Sequence, residues 1–228
     1  MPRTSVNLAA KCLTMLVKDL RLELRDKYAL NAVLMFGVTT LAVVSFSLGQ
    51  RNLPPHLLGA LFWVIMFFSA MSGLAHIFIR EEESGTSLAL RLAAPPDAVF
   101  IGKLLFNLIL LTVLTVIITP LFFIFTNAPV DSVVDFIPIL ILGVLGLCSA
   151  TTLIAAIIAR ASVKGALFAV LSFPIIIPLL LTLVISTQKL FEGSGVGSVM
   201  TELQFLLAYM VVMIVGSLML FKFVWTEG

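Results

Sequence analysis

Residues 104–126 read LLFNLILLTVLTVIITPLFFIFT and carry no charged side chain. A helix of about 20 apolar residues crosses the hydrocarbon core of a bilayer, so this stretch can span a membrane unaided. In lipid the backbone must bond to itself, and a run this long and continuous does so as a helix rather than as a barrel strand. Five further stretches meet the same standard: about 29–48, 57–79, 136–158, 166–186 and 203–221. The whole chain agrees with them. Of its 228 residues 61% are hydrophobic and 11% charged, and the mean hydropathy is +1.18. A soluble domain carries about 25% charged residues; this chain cannot cover itself with polar surface in water. The expectation is an all-α, polytopic membrane protein with six transmembrane helices forming one domain over residues 1–228.

Lysine and arginine orient such a protein, because they collect on the cytoplasmic side. Twelve lie at one end: Arg3, Lys11, Lys18, Arg21, Arg25, Lys27, Arg80, Arg91, Lys103, Arg160, Lys164 and Lys222. Arg51 and Lys189 lie at the other. Both termini and the loop 80–103 are therefore expected in the cytoplasm of a cell bounded by an inner membrane, with short loops outside. The first apolar run begins behind a charged segment too long for the n-region of a cleavable signal, so it is expected to remain as a membrane anchor. Residues 1–28 form no span. On a helical wheel Leu13, Leu16, Val17, Leu20 and Leu24 share a stripe, with Lys18, Arg21 and Arg25 on one flank and Asp19, Glu23 and Asp26 on the other. That pattern predicts an amphipathic helix lying in the membrane interface, or docked on a soluble partner.

An ionisable group inside a bilayer costs about 2.5–3.5 kcal/mol on insertion scales and is kept mainly for function. These spans are nearly empty of them; His76, at the end of span two, is the one candidate. The emptiness argues against ion-coupled transport and against an intramembrane enzyme. A lone histidine there reads more simply as an interface residue, and His56 falls in an outer loop. Gly102-Lys103 lacks the remainder of a phosphate-binding loop, so the chain is expected neither to bind ATP nor to catalyse. Cys12 and Cys148 suggest neither a disulfide nor a metal site, and no nucleic-acid contact is expected. Gly143, Gly146, Ser149 and Ala150 in span four permit close helix approach. Pro174 and Pro178, one turn apart in span five, each remove a backbone donor, which predicts a kinked or locally unwound helix, either a static kink or a hinge.

The loop 79–96, IREEESGTSLALRLAAPP, holds three of the chain's 12 acidic residues. Ser84 or Thr86 is placed to cap a short helix that ends at Pro95-Pro96, with Leu88 and Leu92 on one face. Glu81, Glu82 and Glu83 precede it, where acidic side chains favour a helix start. Such a helix is too short to be stable alone and makes sense docked in a groove of another subunit; simple capping and solvation is the plainer alternative.

This loop resembles the cytoplasmic loop of ABC-2-type exporter permeases, in which an Arg/Glu-rich stretch followed by Gly-Thr opens the coupling helix. Three stretches carry a closer resemblance, to the CcmB family of cytochrome c maturation permeases, known as haem exporter protein B. They are KDLRLELRDKYALNAVLMF at 18–36, the loop at 80–105, and ARASVKGALFAVLSFPIIIPLLL at 159–181. The resemblance implies a non-catalytic membrane subunit working with a CcmA-like ATPase, a CcmC-like haem-handling membrane protein and a CcmD-like small membrane protein. ATP, hydrolysed on the partner, would release the haem-loaded CcmE-like chaperone. It also implies contact with the ATPase through Arg80, Glu81, Glu82, Glu83, Gly85, Thr86, Leu88, Arg91 and Leu92. Haem and ATP are expected on partner subunits, and a second copy of this chain is a further possible partner. The rival readings are an ABC-2 permease exporting a lipid, drug or polysaccharide, and a passive scaffold for which the loop would tolerate mutation.

Overall fold

The computed structural model describes residues 5–48, 53–74, 76–83, 85–86, 90, 92–128, 133–158 and 164–226. Among these residues the protein is all-helical. The helices are α1 (Ser5–Asp26), α2 (Tyr28–Leu48), α3 (Pro55–Leu74), α4 (His76–Glu83), α5 (Pro96–Thr126), α6 (Val133–Ile158), α7 (Lys164–Phe191) and α8 (Met200–Thr226). A 3₁₀ turn, Val196–Val199, leads into α8. Six helices are long and apolar enough to cross a membrane, as the hydropathy predicts: α2, α3, α5, α6, α7 and α8.

The bounds differ from those expected, for physical reasons. Span two ends at Leu74 rather than near residue 79, and Arg80 and the three glutamates belong to the helical residues of α4. Span three begins at Pro96 rather than 104, because a proline at the first helical position lacks only a donor that would be idle there. Span five continues to Phe191 and span six begins at Met200, joined by a Lys189 Nζ–Glu202 Oε1 ion pair of 2.6 Å.

α6 lies innermost. It packs on α3, α5, α7 and α8, while α2 closes one side through α3 and α5. A single apolar core runs through α2, α3, α5, α6, α7 and α8. The small residues of span four serve packing inside this chain. A Cβ on Gly143 would meet the Trp63 ring at 2.2 Å, and one on Gly146 would meet Leu179 at 2.8 Å. Trp63 then donates from Nε1 to Thr187 Oγ1 at 2.8 Å, pinning α3 to α7. Both cysteines are buried free thiols.

Pro174 and Pro178 do not unwind α7, which is helical from Lys164 to Phe191. Both prolines are exposed on its outer face. Two carbonyls in this stretch also accept a side-chain hydroxyl. Tyr209 of α8 donates its hydroxyl to the Ile175 carbonyl at 2.8 Å, and Thr182 donates to the Pro178 carbonyl at 2.9 Å.

Candidate functional site

The end of the bundle holding α1, α4 and the first turns of α5 gathers most of the charged contacts. α1 reaches it by a close crossing. A Cβ on Gly102 would lie 2.6 Å from Met15 Cβ and 3.2 Å from the Cys12 carbonyl, so only glycine lets the backbone of α1 settle on α5 there. The face of α1 turned inward comprises Cys12, Leu16, Asp19, Leu20 and Glu23. It does not coincide with the leucine stripe: Leu13 and Leu24 remain 60% and 68% exposed. Asp19 and Glu23, expected on a solvated flank, are buried. Glu23 Oε1 accepts the Leu30 N–H at 2.8 Å, satisfying an orphan donor at the start of α2. Lys27, at φ 54°, turns the chain between the two helices.

The next residue inward on α5 is Lys103, 1% exposed. Its Nζ lies 3.0 Å from Glu81 Oε1 and 3.6 Å from Asp19 Oδ2. It also donates to the Ile77 carbonyl at 3.2 Å and sits 5.0 Å from the centre of the Phe78 ring. Lys18 adds a second cation, bonded to Glu81 and 3.2 Å from Asp19 Oδ1. Two lysines and two carboxylates from α1, α4 and α5 thus form one network. Burial disfavours the charge of Glu81, but Lys103 and the Lys18 hydrogen bond outweigh it and hold the carboxyl below its usual range. Burial likewise disfavours the Lys18 charge, but Asp19 and Glu81 outweigh it and raise its pKa. Removing one partner from a buried pair typically costs about 3–5 kcal/mol, because the other charge is stranded. A cavity of about 380 Å³ adjoins the network, lined by Lys18, Asp19, Glu81 and Thr86 over an apolar floor of Ile77 and Phe106.

Segment 84–95 leaves this network and returns to it. Gly85, at φ 66°, makes the turn out of α4, a backbone state that a side chain disfavours. Thr86 donates its N–H to the Glu81 carbonyl at 3.1 Å, and its own carbonyl accepts from Leu90 N–H, as the Leu90 carbonyl does from Ala94 N–H. Leu90, Leu92 and Ala93 are helical, and these i to i−4 bonds join Thr86, Leu90 and Ala94. The inner face of the segment is Leu90 and Ala94, seated on Phe78, Val99, Phe100, Phe221 and Trp225. Phe221 stacks on Trp225 with centroids 5.1 Å apart, and Lys222 of α8 pairs with Asp97 of α5 at 3.3 Å. Its outer face shows Leu92, 89% exposed.

Of the residues singled out in the sequence, Glu81, Gly85, Thr86 and Lys18 come together here. Glu81 lies in the last turn of α4, before the segment, and its carboxylate is paired with lysines of its own chain. Arg80 and Glu82 lie in α4 with side chains outside the described set, as is that of His76. Ser84, Leu88 and Arg91 lie outside the described residues altogether. Arg21 and Arg25 are exposed on α1, and Pro174 and Pro178 sit apart on α7. Sequence reading gave no role to Lys103, Asp19, Phe78, Phe221 or Trp225. The one available signal was a lysine directly after a glycine that α1 must touch.

The arrangement is an ion-pair network beside an apolar seat. Among the described residues no three histidine, cysteine or carboxylate side chains are grouped to hold a metal, and His56 is exposed at the start of α3. No curated protein matches the chain. A family model described as CcmB protein matches residues 10–226, nearly the whole of a multi-pass helical membrane protein. That family implies a permease subunit of an ABC transporter for haem handling and cytochrome c maturation, associated with the other components of that system. By this match and by its six apolar helices, the chain belongs to the CcmB protein family.

Proposed function

We propose that this subunit converts ATP hydrolysis on a separate, CcmA-like ATPase into a movement of its membrane helices that drives release of the haem-loaded, CcmE-like chaperone. The observation that carries the reading is the pair of faces at Leu90, Leu92 and Ala94: an exposed leucine outside and a built aromatic seat inside. A short helical segment gains its stability from what it packs on. Seated on one side only, Leu92 and its neighbours suit a groove on a partner. Leu88 and Arg91 would lie in that groove, with Arg80, Glu82 and Glu83 beside it. Haem and ATP would be held by partners, with the CcmC-like and CcmD-like proteins completing the assembly and both termini of this chain in the cytoplasm. α1 would lie in the membrane interface, with Leu13 and Leu24 in lipid and Arg21 and Arg25 toward anionic headgroups. The double-proline stretch of α7 would flex as the helices move.

Purification of the tagged protein in mild detergent, with mass spectrometry of what accompanies it, tests this. An ATPase together with a tryptophan-rich haem protein is the expected result. If neither accompanies it, the reading fails. A Leu92→Glu variant should lose the ATPase while keeping its own abundance in the membrane.

A further inference from the structure

We infer that Lys103 is a positioning residue that makes α1 move as one body with segment 84–95, an inference that rests on the coupling reading above. Glu81 stands just before the segment and Lys103 just after it, on the second turn of α5. Their 3.0 Å ion pair closes the segment at its neck. Asp19 of α1 lies 3.6 Å from the same ammonium, and Lys18 of α1 bonds the same glutamate. Among the described residues, Glu81 and Lys103 at the neck are both paired with α1.

Two attachments hold the segment, and they differ in kind. The aromatic seat under Leu90 and Ala94 is apolar; such contacts are non-directional and permit sliding. The neck is directional, and pulling it open strands a lysine that is 1% exposed among carboxylates. When a partner pushes the segment, sliding over the seat while carrying the neck and α1 along is the lower-energy path. Gly102 keeps the backbone of α1 in contact with α5 at the next residue, so the push is delivered along α1 to its joint with α2. Lys103 was expected only to mark the side of the membrane; here it ties the moving segment to an amphipathic helix.

The test is hydrogen exchange read by mass spectrometry on the purified complex, with and without ATP plus vanadate. In the wild type, trapping nucleotide should change exchange both in residues 84–95 and in residues 10–26. The comparison is a double variant, Lys103→Met with Glu81→Met, which replaces the pair by apolar side chains of similar volume and so avoids a stranded charge. It should keep the response of 84–95, cut that of 10–26 at least threefold, and lower cytochrome c yield at least fivefold with the ATPase still bound. Lys103→Arg should restore both. The inference is overturned if α1 does not respond in the wild type, or responds equally in the double variant. It is also overturned if the double variant fails to accumulate in the membrane, which would make the pair a folding element only. A wild-type preparation with no ATPase overturns instead the coupling reading beneath it.

Discussion

The two ends of the bundle are built on opposite principles. The far end is closed by aromatic rings from four helices: Phe62 lies 5.1–5.2 Å from Trp63, Phe122 and Phe136, with Phe191 beside Phe136. Its rings are edge-on to one another, its tryptophan is hydrogen-bonded, and its close contacts are set by Gly143 under an indole. The end with α1 is closed by a network of four charges and by a seat that holds a segment leading away from the bundle. Rings interlocked inside a core resist every displacement. A charged neck over an apolar seat resists opening but allows sliding. On the proposed function, one end stays and the other is moved.

Substitutions separate these roles. The largest effect is expected for Trp63→Ala, which opens a cavity under α6 and should cost about 3–5 kcal/mol. It should lower both the thermal midpoint in detergent and the amount of protein in the membrane. Trp225→Ala at the other end should leave abundance near wild type while reducing cytochrome c yield. Equal loss of abundance in the two variants would break the contrast. Next comes Gly102→Val, which drives a side chain into Met15 and the Cys12 carbonyl; overpacking of this kind costs about 1–3 kcal/mol. Limited proteolysis should then cut within α1 while the six spans stay intact. Tyr209→Phe removes one hydroxyl from the Ile175 carbonyl and should cost about 0.5–1.5 kcal/mol, read as a small drop in thermal midpoint, with faster exchange near Leu179.

The smallest effect is a flat line. The folded pKa of Glu81 is lowered, so its stabilisation is complete above the ordinary value of 4.5 and is lost as pH falls through the lower folded value. The folded pKa of Lys18 is raised, so its stabilisation is complete below 10.5 and is lost as pH rises through the higher folded value. Protection of α1, corrected for intrinsic exchange, should therefore stay constant from about pH 5 to about pH 9. A transition near neutrality would show that another group governs the neck.

The six spans were legible because hydropathy is a local property: each run announces itself without reference to its neighbours. The turn at Gly85 was legible for a similar reason, since Ser-Gly-Thr is local turn chemistry. The start of α5 was placed at 104 instead of Pro96, although Pro96 and Asp97 are favourable first-turn residues, because Pro95-Pro96 also reads as a stop for whatever precedes it. The direction of Glu81 was not legible. Three glutamates in a row look alike until a lysine 22 positions later on another helix selects one of them, and that choice depends on α5 lying beside α4. Asp19 and Glu23 failed for the same reason. Sequence periodicity counts a carboxylate as polar and turns it outward, whereas here each meets a donor supplied by another part of the chain. The prolines of α7 were expected to kink or locally unwind it; the helix runs through both without unwinding.

The Lys18–Glu81 contact spans 63 positions of the chain, and this sets an order of events during synthesis. At about 5–20 residues per second, α1 emerges roughly 3–13 s before its glutamate partner, and later still Gly102 and Lys103 complete its seat. Through that interval α1 has no bundle to join. Its leucine stripe gives it a place to wait on the bilayer surface, and its docking then marks the moment at which the first half of the chain is assembled.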